Sequence, residues 1–222
     1  MTGKLFLSGG GNEKQTIEID NIFFNNINKV LYVPLAWPND DFQSCLKWFT
    51  NMTSIHKKVQ ITMLTDANQE INLSKFDAIY IGGGNTFKLL KRLKESRLDK
   101  KLIKYLKNGG TIYGGSAGAI IWGKTIDTAM LCKDKDKNEV GIKDTNGFNL
   151  IKNYDIQCHF EDDQIKEHQE YIKKTGRNII AIPEESAILV ENNKYTAIGT
   201  KPITLITSEK AVKFSSNKEI KI

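Results

Sequence analysis

The chain has 222 residues, 40% of them apolar and 26% charged, with a formal net charge of +6. That length suits one domain with a sizeable core, 1–222, and the composition excludes a disordered or disulfide-rich chain. No apolar run is long enough to cross a bilayer and no signal-like segment opens the sequence, so no membrane partner is expected.

Three scattered cysteines (Cys45, Cys132, Cys158) make neither a disulfide framework nor a zinc site. Free thiols without a signal point to the cytoplasm. The positive charge comes mostly from lysines interleaved with acids, as in Lys133-Asp134-Lys135-Asp136-Lys137. It reads as a solvated surface with no nucleic-acid partner.

Residues 4–8 form a short strand ending in Gly9-Gly10-Gly11. Helical apolar spacing follows over 15–27, then a strand over 29–35. Pro38 and Asn39-Asp40-Asp41 open a helix reaching about Met52. Strands at 59–64 and 76–81 precede Gly82-Gly83-Gly84-Asn85. Helices at 86–93 and 98–106 follow, the second closed by Gly109-Gly110. A strand at 111–113 then leads through a tight turn into a helix at 117–122. This alternation predicts a mostly parallel sheet covered on both faces. Past residue 124 the rhythm changes. The polar stretch 133–144 is expected to be a loop or hairpin, and a candidate lid. A brief strand at 156–160 and a polar helix at 162–175 precede five short strands (179–182, 187–191, 194–198, 203–207, 212–214), read as an antiparallel extension.

The chemistry concentrates at Gly114-Gly115-Ser116-Ala117-Gly118. Gly-x-Ser-x-Gly between a strand and a helix is an elbow that lifts a serine hydroxyl out of the backbone. A tight turn with a serine N-cap is the plain alternative. An amide from the Gly82–Asn85 turn, at Gly84, together with that of Ala117, would form an oxyanion hole. Asn85 is placed to contact substrate. His159, at a strand end, is the candidate base. His56, among lysines in a surface stretch, reads as inert, and His168, on a polar helix, as solvated. The carboxylate that orients the base has several candidates: Asp134, Asp136, Glu139, Asp144 and Glu184. Cys158 reads as a buried spectator.

Ile79–Leu90 with its Gly82-Gly83-Gly84-Asn85, the elbow 115–119, Asn146-Gly147-Phe148, Cys158-His159-Phe160 and Ile182-Pro183-Glu184 occur in one order. Together they resemble the peptidase E (dipeptidase E) family of serine peptidases, with cyanophycinase a distant relative. The resemblance implies a three-layer, doubly wound α/β fold like that of class I glutamine amidotransferases (flavodoxin-like), with antiparallel C-terminal strands. It implies Ser116 as nucleophile, His159 as base and hydrolysis of short peptides, in the best-known members dipeptides with an N-terminal aspartate. No metal or organic cofactor is implied, and a monomer or homodimer is expected. The family's acid lies between nucleophile and histidine, which selects Asp136, with Asp134 and Glu139 close behind. The aspartyl-specific members carry an arginine on the helix after the histidine. His168 stands there in this sequence and is the expected substrate-binding residue. Histidine lacks the bidentate fork and permanent charge of arginine, which argues against aspartyl preference. A catalytically inactive small-molecule-binding protein on the same fold is the alternative. An α/β-hydrolase esterase is a third reading, though its His-Gly-Gly motif is absent.

Overall fold

A computed structural model describes every residue except Met1, Lys57 and Lys133. The readings that begin at Met1 and Lys133 therefore lose their first residue from the description. Five strands form the parallel part of the main sheet: β1 (Lys4–Ser8), β2 (Lys29–Val33), β3 (Gln60–Met63), β4 (Ala78–Ile81) and β5 (Thr111–Gly115). Two more, β8 (Ser186–Glu191) and β9 (Lys194–Gly199), add antiparallel at the β1 side, giving the order β3-β2-β4-β5-β1-β8-β9. The chain is thus α/β with a mostly parallel central sheet.

The inner strands are short apolar runs such as KVLYV and AIYI, buried on both faces as parallel strands require. Alternate residues feed two cores. Leu31, Val33, Ile79, Ile81 and Ile112 point to one face. There α3 (Thr86–Glu95), α4 (Leu98–Lys107) and α5 (Ala117–Ile120) contribute Leu89, Leu90, Leu102 and Ala119. Val30, Tyr32, Tyr80 and Tyr113 point to the other, where α1 (Ile17–Phe24) and α2 (Phe42–His56) contribute Phe23 and Phe49. Helices on both faces therefore make three layers. Of the first four helices, α1 and α2 start later than the sequence reading suggests. Residues 12–15 form a turn, with the Asn12 side chain accepting from the Lys14 and Gln15 amides. Asn39 and Asp40 take left-handed backbone angles inside a single 3-10 turn, Pro38–Asp40.

The C-terminal strands do not form one extension. Besides β8 and β9, β6 (Asp155–Gln157), β7 (Ile179–Ala181), β10 (Ile203–Ile206) and β11 (Ala211–Phe214) make a second sheet in the order β11-β10-β7-β6. In it β6 and β7 run parallel. They are joined by α6 (Ile165–Thr175), which ends at Gly176 in a left-handed C-cap. The last residues fold back on β9. The Ala197 amide donates to Lys218, the Asn217 amide to Ala197 and the Ile220 amide to Tyr195 (3.0, 2.7 and 2.7 Å). Among the described residues no helix is long and apolar enough to cross a membrane.

Candidate active site

β1 and β4 flank β5, so the turns after these three strands meet at one end of the sheet. This is where open α/β sheets bind ligands. Ser116 sits at φ 52° and ψ −115°, outside the ordinary left-handed well, a strain of about 1–3 kcal/mol. The surroundings impose it. The Ser116 amide donates to Ser8 O (3.1 Å). A Cβ on Gly114 would collide with Gly118 O, and one on Gly118 with Ile81 O. Gly10 lies still closer to the chemistry: a Cβ there would come within 2.7 Å of Ser116 Cβ and 2.9 Å of His159 Nε2.

His159 arrives from β6. Its amide donates to Gly9 O (3.1 Å), and its ring nitrogen Nε2 stands 2.8 Å from Ser116 Oγ. The parallel register of β6 and β7 then decides the third group. Gln157 faces Ala181, and the pairing continues past both strands, with Ile182 N donating to Gln157 O and Phe160 N to Ile182 O. Two residues beyond the Gln157–Ala181 pair, His159 therefore meets Pro183-Glu184, and Glu184 Oε1 lies 2.8 Å from His159 Nδ1. The other oxygen, Oε2, accepts from Gln15 Nε2 (2.8 Å), whose own Oε1 accepts from the Asn12 amide (2.9 Å). A proton on Nδ1, held by Glu184, leaves the Nε2 lone pair for the serine hydroxyl.

The expected orienting acid, Asp136, is not on the imidazole. Its Oδ2 accepts from the Thr86 amide at the start of α3 (2.8 Å). Burial lifts its carboxyl above the usual range, against the lowering effect of Thr86 and, more weakly, of nearby His159. Asp134 and Glu139 are exposed, and Asp144 pairs with Lys94 (2.7 Å). His168 is corrected too. It is fully buried, edge-on to Phe160, with Nδ1 2.6 Å from Gln164 O, and burial pushes its imidazole below the ordinary value. A side chain so enclosed does not read a substrate. His56 packs inward from its surface stretch, stacked on Phe24 and 2.7 Å from Asn21 Oδ1, away from Ser116. Asn85 caps α3, accepting from Lys88 N (2.9 Å), while its Nδ2 donates to Lys137 O (2.8 Å). Both ends of its amide are occupied. The Gly84 and Ala117 amides donate to no other described group, and Gly84 takes φ 127° because Ala36 O fills the space of a side chain. Cys158 is a buried free thiol. Gln15 carried no sequence signal, because it reads as the first residue of a helix. Among the described residues no group of three or more His, Cys, Asp and Glu could hold a metal.

Residues 5–198 match the model of peptidase family S51. The chain belongs to that family. Members similar to this S51 chain include a peptidase E from Nostoc sp. (23% identity over 199 residues, 85% of this chain and 79% of that one). Another is a peptidase E from Haemophilus influenzae strain PittGG (27% over 187 residues, 78% and 76%). The S51 fold recurs in a solved peptidase from an acI-B1 Actinobacterium (TM-score 0.71, 16% identity, 100% of this chain and 98% of that one). It recurs also in a Listeria monocytogenes protein described as a candidate peptidase E (TM-score 0.72, 24% identity, 90% and 100%). At those identities the structural likeness speaks for the fold alone. Family membership supports a peptidase.

Proposed function

We propose that this S51 member is a serine peptidase that cleaves short peptides, dipeptides among them, through an acyl-enzyme on Ser116. One observation carries the reading: the unbroken relay Ser116 Oγ–His159 Nε2–His159 Nδ1–Glu184 Oε1, with both contacts at 2.8 Å. In the first half-reaction the Ser116 hydroxyl gives its proton to Nε2 as Oγ attacks the substrate carbonyl. Glu184 stabilises the imidazolium so formed. The amides of Gly84 and Ala117 are the donors available to the oxyanion, each worth about 2.7–4 kcal/mol of barrier in comparable sites. Collapse expels the amine, which takes the proton from Nε2. Water, deprotonated by the same nitrogen, then releases the acid and frees Ser116.

Aspartyl preference is not part of the proposal, because no arginine occupies the expected position and His168 is enclosed. The ordered motifs support a class I glutamine amidotransferase-like domain, the free thiols favour a cytoplasmic setting, and a monomer or homodimer is part of the proposal. Turnover of a dipeptide panel by wild type and by Ser116→Ala, with fluorophosphonate labelling located by mass spectrometry, tests the reading. Loss of at least about 10⁴-fold in kcat and a label on Ser116 are expected. Equal turnover by both proteins would count against Ser116 as nucleophile, whereas no turnover by either and no label on Ser116 would leave the inactive binding protein as the better account.

A further inference from the structure

Thr16 stands at the start of α1, yet its side chain makes no bond to the free amides of the helix, the usual work of a threonine there. It is buried, and its hydroxyl lies between two acceptors instead: Asp20 Oδ2 at 2.6 Å and Asn12 O at 3.1 Å. A hydroxyl has one proton and serves one of them at a time. The carboxylate has the shorter contact, as a charge-assisted bond does.

The second acceptor leads to the catalytic relay. Asn12 holds the turn before α1 with its carbonyl, its side chain and its amide. The carbonyl accepts from the Thr16 amide (3.0 Å), and the side chain accepts from the Lys14 and Gln15 amides (3.0 and 3.2 Å). The Asn12 amide donates to Gln15 Oε1 (2.9 Å). Gln15 Nε2 in turn holds Glu184 Oε2 (2.8 Å), the carboxylate on His159. The turn also rests on Glu184 directly: a Cβ on Gly11 would come within 2.7 Å of Glu184 O and 2.8 Å of Gln15 Cβ.

We propose that Asp20 and Thr16 are positioning residues for Glu184, the state of the buried carboxylate deciding whether the Thr16 hydroxyl braces the Asn12 turn. The inference rests on the peptidase reading above and adds a control to it. With Asp20 ionised, the Thr16 hydroxyl points to Oδ2, and Asn12 O keeps the Thr16 amide alone. When a proton from solvent settles on Oδ2, the carboxyl donates to Thr16 Oγ1 and the hydroxyl turns to Asn12 O. The turn then holds Gln15, and through it Glu184, by one more hydrogen bond. Burial lifts the Asp20 carboxyl to about 6, so the exchange falls within the working range of an imidazole base. Tyr80 from β4 and Tyr113 from β5 face Asp20 and keep their protons, burial holding both well above the ordinary phenol value. His56 from α2, 3.9 Å away, is pushed toward neutrality by burial, and Glu18 on the same helix is exposed.

The readout is the rate at which a fluorophosphonate labels Ser116, which needs no knowledge of the substrate. Wild type and Asp20→Asn are compared between pH 5 and pH 8, and the titration of His159, common to both, cancels in their ratio. The asparagine amide donates to Thr16 Oγ1 at every pH. The variant should therefore match wild type at pH 5 and label about two- to tenfold faster at pH 8, the range of one neutral hydrogen bond. In a Thr16→Val background the ratio should be flat. A flat ratio with Thr16 in place overturns the inference. So does a pH dependence that survives Thr16→Val, because the field of the carboxylate would then act without the hydroxyl. Should Asp20→Asn fail to fold, Thr16→Ser against Thr16→Val decides. Those two should agree at pH 8, with the serine form faster at pH 5, and equal rates at both values overturn the inference. A labelled serine with flat ratios sinks this inference alone, whereas an unlabelled serine sinks the peptidase reading and this inference with it.

Discussion

Glu184 and Asp136 are both partly buried carboxylates near His159, and their partners give them different work. Glu184 offers one oxygen to the imidazole and the other to Gln15. Asp136 offers one to a backbone amide. Glu184→Gln should therefore lower kcat by about 10³–10⁴-fold with little change in KM, because the amide no longer fixes the tautomer or offsets the imidazolium charge. Steady-state kinetics on any cleaved dipeptide would show it. In the proposed mechanism Gln15, which donates to Glu184, is a positioning residue. The Asn12 amide fixes which end of its side chain faces the carboxylate. Gln15→Glu adds negative charge there. The acidic limb of the kcat/KM profile should move to higher pH, since that charge favours the imidazolium over the neutral base. A purely structural role for Gln15 would lower activity without moving the limb. Ser116 and His159 were legible in the sequence because each stands in a local pattern with a mechanical meaning. Glu184 was only one candidate among five. What selects it is the parallel pairing of β6 and β7, and strands that short carry no mark of direction. Asp136 was preferred on chain order, which says nothing about what a side chain faces.

The stretch 134–144, within the segment read as a loop or hairpin and a candidate lid, is laced to α3. Thr86, Asn85, Lys91 and Lys94 hold Asp136, Lys137, Val140 and Asp144 in turn, at 2.8, 2.8, 3.1 and 2.7 Å. The two segments thus meet along one edge of the site. Asn85 both caps the helix and ties the strap, so Asn85→Ala should cost about 1 kcal/mol from the cap alone. It should also hasten limited proteolysis within 134–144, followed by gel and mass spectrometry, if the tie matters beyond the cap. Unchanged cleavage would confine Asn85 to the helix start. The sequence could not show this lacing, because its contacts join residues some fifty positions apart and use lysines that look like ordinary surface charge. The elements themselves were easier to read. Apolar strands ending in glycine and helices with strong amphipathic spacing marked most of the first half. The ends shifted where the Asn12 turn and the left-handed Asn39 and Asp40 intervened.

Across the whole molecule the two faces of the sheet are unlike. One is aliphatic, the other aromatic, with Phe23, Tyr80 and Tyr113 around a buried carboxylate, Asp20. Burial raises the Asp20 pKa to about 6, partly offset by hydrogen bonds from Thr16 and Tyr113. His56 stands 3.9 Å away, its own imidazole pushed down by burial. A carboxyl whose folded value exceeds its unfolded one of 3.8 favours the fold when protonated. That contribution is complete below pH 4 and is lost as the pH rises through 6. Asp20→Asn should therefore melt higher than wild type at pH 7.5, by an amount worth at most about 3 kcal/mol, and converge with it near pH 4. Thermal unfolding at the two pH values would check this. The layered α/β plan was readable from alternation alone, but the division of the C-terminal strands between two sheets was not, because it depends on which strand each one meets. The returning C-terminal segment completes that division. By occupying the free amides and carbonyls of β9 it shuts that rim to strand addition by another molecule, so any growth of the main sheet by pairing with a neighbour is confined to its far side, at β3.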